Sequence, residues 1–145
     1  MSNILPTYPR SNLTFEYGKG SYLFEANGDQ YLDFGSGIAV NSLGYANEYL
    51  NEKLMLQAQK LWHVSNVYQI PEQETLAKRL CDLCFADYVF FCNSGAEAIE
   101  AAIKIARRYF YVTENSKTKN EIITFTGSFH GRTLGALAAG GLEKL

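Results

Sequence analysis

Residues 89–108 read Val-Phe-Phe-Cys-Asn-Ser-Gly-Ala-Glu-Ala-Ile-Glu-Ala-Ala-Ile-Lys-Ile-Ala-Arg-Arg. The order is an apolar strand, a tight polar turn and an alanine-rich helix. Such a layout aims the unpaired N–H groups of a helix start at the carboxyl end of a buried strand, where open α/β sheets bind ligands and where the helix dipole favours an anion. The turn Asn93-Ser94-Gly95-Ala96 carries no basic residue. An anion held here would be held by backbone amides, which suits a cofactor phosphate. The plainer reading is a capped core helix with no ligand, and this segment alone leaves both open.

The helix has its own logic. Ser94 and Glu97 form the S-x-x-E capping pattern. Ile99, Ala102, Ile103, Ala106 and Phe110 recur at three- and four-residue steps and predict a buried face over Ala96 to Tyr111. Glu97 and Glu100 fall near the positive end, Lys104, Arg107 and Arg108 near the negative end. Glu100 and Lys104 can pair across one turn.

Working outward, the pattern repeats. Strand Tyr88–Cys92 and its helix are followed by a strand over Glu121–Phe125, a loop, and a helix from about Arg132. Strands alternating with helices predict an α/β fold with a mostly parallel sheet. Upstream, Tyr22–Glu25 and Gln30–Phe34 flank Asn27-Gly28-Asp29, a hairpin signal. Asn47 is placed to cap a helix to about Leu61, and Pro71 to open one through about Leu83. Residues 1–20 read as polar and irregular. Gly35-Ser36-Gly37 lacks a third glycine at Val40, so the dinucleotide fingerprint fails.

Composition narrows the partners. With 145 residues, 47% hydrophobic content and a net charge of −2, the chain can build one core and has no basic stripe for nucleic acid or an anionic membrane. No apolar run is long enough to span a bilayer and no secretory leader is evident, so a cytoplasmic protein is expected. Cys81 and Cys84 form a C-x-x-C spacing late in a helical pattern, without a second pair or a histidine cluster; they and Cys92 are expected to be reduced core residues, with no metal site.

The loop Thr126-Gly-Ser-Phe129-His130-Gly131-Arg132-Thr133 opens, in a parallel sheet, on the same edge as Ser94-Gly95-Ala96. Phe129 offers a flat face for a planar ring. Arg132 offers a fork for a carboxylate. His130, without a partner, reads as an ordinary loop histidine.

Taken together, Asn93–Phe110 followed by Gly127–Thr133 resembles the class III (ω-) aminotransferases that use pyridoxal 5′-phosphate. Gly37–Gly44 and Leu61–Tyr68 resemble their acetylornithine branch. The likeness runs from about Tyr22 to the end of the chain. It departs at Tyr45-Ala46-Asn47, where the family often carries a histidine and a nearby proline, and at Ile99, where asparagine is common.

The resemblance implies the following. The fold is the start of the large fold type I domain (residues 71–145), preceded by a small-domain segment with a hairpin, an active-site loop and a helix (residues 1–70). Gly95 and Ala96 match the positions whose amides bind the cofactor phosphate, with Ser94 beside them. Phe129 matches the residue that stacks on the pyridine ring, and Arg132 the one that receives a substrate carboxylate. The activity is transfer of the terminal amino group of N2-acetylornithine to 2-oxoglutarate, in arginine biosynthesis, by a homodimer. Other ω-aminotransferases, acting on ornithine, 4-aminobutyrate or succinyl-diaminopimelate, are the alternatives. A truncated binding module is the rival from another class. No catalytic residue is expected in this segment: the covalent lysine and the aspartate facing the pyridine nitrogen would lie beyond Leu145, and Lys104, Lys117 and Lys119 are badly placed to replace them. Residues 1–145 alone are not expected to fold cooperatively, because both strands need neighbours.

Overall fold

Among the described residues, strand pairing is confined to the first part of the chain. The computed structural model describes residues 3–141 and divides into two units, Met1–Gln69 and Ile70–Leu145. Residues 1–2, in the expected irregular start, and 142–145, in the stretch opened by the expected helix from about Arg132, lie outside the described residues.

In the first unit, β1 (Phe15–Lys19), β2 (Tyr22–Glu25) and β3 (Gln30–Leu32) form an antiparallel sheet in the order β1-β2-β3. The β2–β3 hairpin turns at Asn27-Gly28-Asp29, where Asn27 Oδ1 accepts the Asp29 N–H at 3.0 Å and Gly28 takes φ +92°. β1 corrects the expectation of an irregular start. Tyr17 stacks on Phe24 at 4.6 Å, and Phe15 meets Tyr31 edge-on at 5.4 Å, cross-strand contacts that favour pairing.

After β3 the chain makes a short turn, α1 (Ser36–Ala39), whose backbone is left-handed: φ is 45°, 62°, 64° and 62° at Ser36, Gly37, Ile38 and Ala39. Asp33 holds its start, accepting from the Gly35 and Ser36 amides at 2.9 and 3.0 Å and from the Tyr45 hydroxyl at 2.5 Å. Tyr45 is itself tied to Gly20 by two backbone hydrogen bonds. α2 (Glu48–Ala58) follows, capped by Asn47 Oδ1 on the Leu50 N–H at 3.1 Å.

The second unit holds α3 (Pro71–Asp82), α4 (Gly95–Glu114) and α5 (Leu134–Gly140). The segments 88–92 and 121–125 precede α4 and α5 as expected, but neither is a paired strand. A strand exists only through ladder bonds to a neighbour about 4.8 Å away, and among the described residues neither segment has such a ladder. The only sheet among the described residues is the antiparallel one.

α4 outruns its expected end and stops at Asn115, which adopts the left-handed φ of 49° that commonly terminates helices. Lys104, Arg107 and Arg108 therefore lie inside the helix, and its last turn carries no base. No residue of α4 is fully buried: Ile99, Ile103 and Phe110 are half-buried, while Ala102 and Ala106 are exposed. Cys84 and Cys92 are exposed and Cys81 half-buried, all as free thiols, which corrects the expectation of core cysteines. The cause is shared. The chain exposes 13177 Å², against roughly 9,000 Å² for two separate compact units of half its mass, and among the described residues Ala136 is the one buried hydrophobic. No helix of the described residues is long and apolar enough to cross a membrane.

Candidate functional site

The site is built on the first turn of α4. Ser94 is extended (φ −154°, ψ 160°), and its Oγ accepts the Glu97 N–H at 3.2 Å. The Glu97 carboxylate closes a widened capping box. It accepts the Asn93 N–H at 2.7 Å and the Asn93 side-chain amide at 3.1 Å, one residue earlier than the usual partner. The Gly95 and Ala96 N–H groups have no acceptor among the described residues. A Cβ built on Gly95 would meet nothing within 4 Å, so the space beside Gly95 is open. Two unengaged amides at the positive end of a 20-residue helix fit a phosphate in chemistry and in space.

The loop 126–133 is brought to this turn, though not by a shared sheet edge. Gly131 (φ +121°) packs on Ala96: a Cβ there would fall 2.6 Å from the Ala96 Cβ and 3.0 Å from its Cα. Glycine is required twice over, by the backbone angle and by the close approach. On the C-terminal side of the loop, Thr133 caps α5 by accepting the Ala136 N–H at 3.4 Å and donates its hydroxyl to Glu100 on α4 at 2.5 Å. Glu100 also accepts the Gly135 N–H at 3.2 Å. This carboxylate, which the spacing also allows to pair with Lys104, bonds to the start of α5. On the other side, the Ser128 carbonyl lies 2.7 Å from where a Cβ of Gly140 would be.

Of the residues singled out from sequence, Ser94 and Gly95 are exposed and Ala96 is half-buried. Phe129 is 68% exposed, its ring available for stacking two residues before Gly131. Arg132 is exposed and follows Gly131 directly. The structure thus brings the Gly131 stretch onto Ala96. Sequence reasoning missed Gly131, Thr133 and Glu100; the glycine between His130 and Arg132 was the available signal, while the Glu100 contacts span 33 and 35 residues and leave no local trace. An open hollow of about 870 Å³ at the far end of α4, lined by Ile105, Tyr109, Val112 and Lys117 among others, includes none of the candidate residues.

The sequence profile of the class-III aminotransferases matches residues 6–144. The chain belongs to this family. It is 56% identical over 97% of its length to an acetylornithine aminotransferase of Agrobacterium fabrum, of which it covers 35%. It is 48% identical over its whole length to the one of Halalkalibacterium halodurans, of which it covers 36%. Among solved structures it resembles an N-acetylornithine aminotransferase of Stenotrophomonas maltophilia (42% identity, TM-score 0.77, 86% of this chain and 34% of that one). It also resembles an adenosylmethionine-8-amino-7-oxononanoate aminotransferase of Methanocaldococcus jannaschii (33% identity, TM-score 0.87, 96% of this chain and 34% of that one). The chain spans about a third of the length of the curated relatives it matches. The backbone of this class-III segment follows the second structure more closely and its sequence the first, so the fold is common to enzymes named for different substrates.

Proposed function

We propose that this chain provides the cofactor-holding part of a pyridoxal-phosphate-dependent aminotransferase that moves the terminal amino group of N2-acetylornithine to 2-oxoglutarate. The observation that carries the cofactor reading is the pair of unengaged amides at Gly95 and Ala96, with open space beside Gly95 and Gly131 seated on Ala96. The substrate reading rests on 56% identity to a protein named for acetylornithine.

When bound, the cofactor supplies the electron sink for bond breaking next to the amino group. The chain's own residues bind and orient. Gly95 and Ala96 donate to the phosphate, with Ser94 holding the turn in shape. Phe129 presents its ring to the pyridine, and Arg132 takes a carboxylate of 2-oxoglutarate through a two-pronged hydrogen bond. The covalent lysine is expected outside residues 1–145. Family resemblance supports a cytoplasmic homodimer working in arginine biosynthesis. It also supports residues 1–70 as part of the small domain and 71–145 as the start of the large one, where segments 88–92 and 121–125 would join a parallel sheet.

The test uses the full-length protein with N-acetylornithine, ornithine, 4-aminobutyrate and succinyl-diaminopimelate as donors. The highest kcat/KM is expected with N-acetylornithine. A higher value with another donor overturns the substrate reading, and failure to take up pyridoxal phosphate overturns the cofactor reading.

A further inference from the structure

We propose that Glu100 is a positioning residue, whose carboxylate clasps Thr133 and Gly135 and thereby fixes the stretch Phe129–Arg132 against the first turn of α4. The inference rests on the reading of Gly95, Ala96, Phe129 and Arg132 as cofactor and substrate contacts.

Three observations converge on it. Glu100 stands four residues, about one turn, beyond Ala96 on the same helix, so whatever it holds is registered to the turn that carries the free amides. Its Oε1 accepts both the Thr133 hydroxyl (2.5 Å) and the Gly135 N–H (3.2 Å), and the same hydroxyl accepts the Ala136 N–H, so one carboxylate oxygen organises the start of α5. The space around it is tailored as well: a Cβ on Gly135 would lie 2.7 Å from both Glu100 carboxylate oxygens. The loop is thus pinned where Gly131 meets Ala96 and where Thr133 meets Glu100, with Arg132 between. Hydrogen bonds to a charged acceptor are the stronger kind, so this clasp outweighs an ordinary loop contact.

The roles of the atoms set the variants. Glu100→Gln keeps a carbonyl oxygen able to accept both donors, and Glu100→Ala keeps none. Thr133→Ser keeps the hydroxyl; Thr133→Val keeps the shape and loses it. The full-length protein is measured in two arms. Without cofactor, amide hydrogen exchange over residues 128–137 reads the clasp itself. Glu100→Ala and Thr133→Val are expected to speed exchange there by about tenfold or more, Glu100→Gln and Thr133→Ser much less. The double variant Glu100→Ala/Thr133→Val should fall short of the sum of the single changes, because both remove the Thr133–Glu100 bond while each also removes one bond of its own. With cofactor, the pyridoxal phosphate dissociation constant and the KM for 2-oxoglutarate should rise in the same order, each with rescue by the conservative variant.

Unchanged exchange in Glu100→Ala, or fully additive effects in the double variant, overturns the proposal. So does a fall in thermal stability with exchange raised across the whole protein rather than over 128–137. A wild-type protein that takes up no cofactor refutes the function proposed above, while the first arm still decides the clasp.

Discussion

Gly131 rests on Ala96 so closely that a methyl group on it would lie 2.6 Å from the Ala96 Cβ. The contact joins the loop that carries Phe129 and Arg132 to the turn that carries the free amides. Gly131→Ala meets both a clash and a backbone at φ +121°, where an L side chain is strained. The expected cost is more than about 1 kcal/mol, and the loop must lift from α4. Denaturant unfolding of the full-length protein, with the pyridoxal phosphate dissociation constant beside it, gives the check. Wild-type values for both would show that the approach is not required.

Ser94 separates capping from phosphate contact. Removing its hydroxyl in Ser94→Ala frees the Glu97 N–H and should cost about 1 kcal/mol of stability. Ser94→Asp retains a capping oxygen but sets a carboxylate beside the proposed phosphate. Stability close to wild type is expected, with cofactor affinity reduced about tenfold or more at low salt. If Ser94→Asp binds pyridoxal phosphate as tightly as wild type, the phosphate does not sit at this turn.

Ile38 is a β-branched residue at φ 64°, ψ 55°, a conformation that costs an L residue about 1–2 kcal/mol. Glycine relieves the strain, less the extra freedom it gives the unfolded chain. A net gain of about 0.5–1 kcal/mol is expected for Ile38→Gly, read as a raised denaturation midpoint in the full-length protein. A lowered midpoint would mean that the exposed side chain finds contacts outside this chain that outweigh the strain.

Asp33 and Tyr45 make stability depend on pH at both ends. The Tyr45 hydroxyl first, then the Ser36 and Gly35 amides, hold the Asp33 carboxyl below its ordinary value of 3.8, with partial burial opposing. The bond to Asp33 in turn raises the Tyr45 hydroxyl above its ordinary 10.0, with the Asn41 side chain pulling the other way. A depressed carboxyl contributes stability above its unfolded value and loses it as pH falls through the folded one. A raised phenol contributes below its unfolded value and loses it as pH rises through the folded one. The full contribution of the bond is therefore present between about pH 4 and pH 10 and is lost beyond, as each group passes through its folded value. Tyr45→Phe should lower stability across that window and leave less to be lost at either end. Parallel pH profiles for wild type and Tyr45→Phe would count against the link.

The local elements were legible in the residues because their causes are local. Asn47 and Ser94 cap with their own side chains, Pro71 opens α3, and Asn27-Gly28-Asp29 turns the hairpin, each within a few residues of what it controls. The end of α4 was misjudged because apolar spacing continues past Tyr111 and only the left-handed Asn115 stops it. β1 was missed because its pairing depends on a neighbour strand, and Gly18 and Lys19 cut short the alternation that Phe15, Glu16 and Tyr17 begin.

The chemistry of the site was written in residue types, in Ser94, Gly95, Ala96, Phe129 and Arg132, since a turn without bases, a flat ring and a guanidinium each suggest a ligand group without reference to distant parts of the chain. How the two stretches meet was not. A parallel sheet edge was expected to join them; instead Gly131 against Ala96 and Glu100 with Thr133 join them, through contacts 33 to 35 residues apart in sequence. The turn and helix start at residues 93–97 were legible by short-range geometry, because cap and first turn control one another within a few residues. What stands beside that turn depends on long-range packing, which no local pattern of residues encodes.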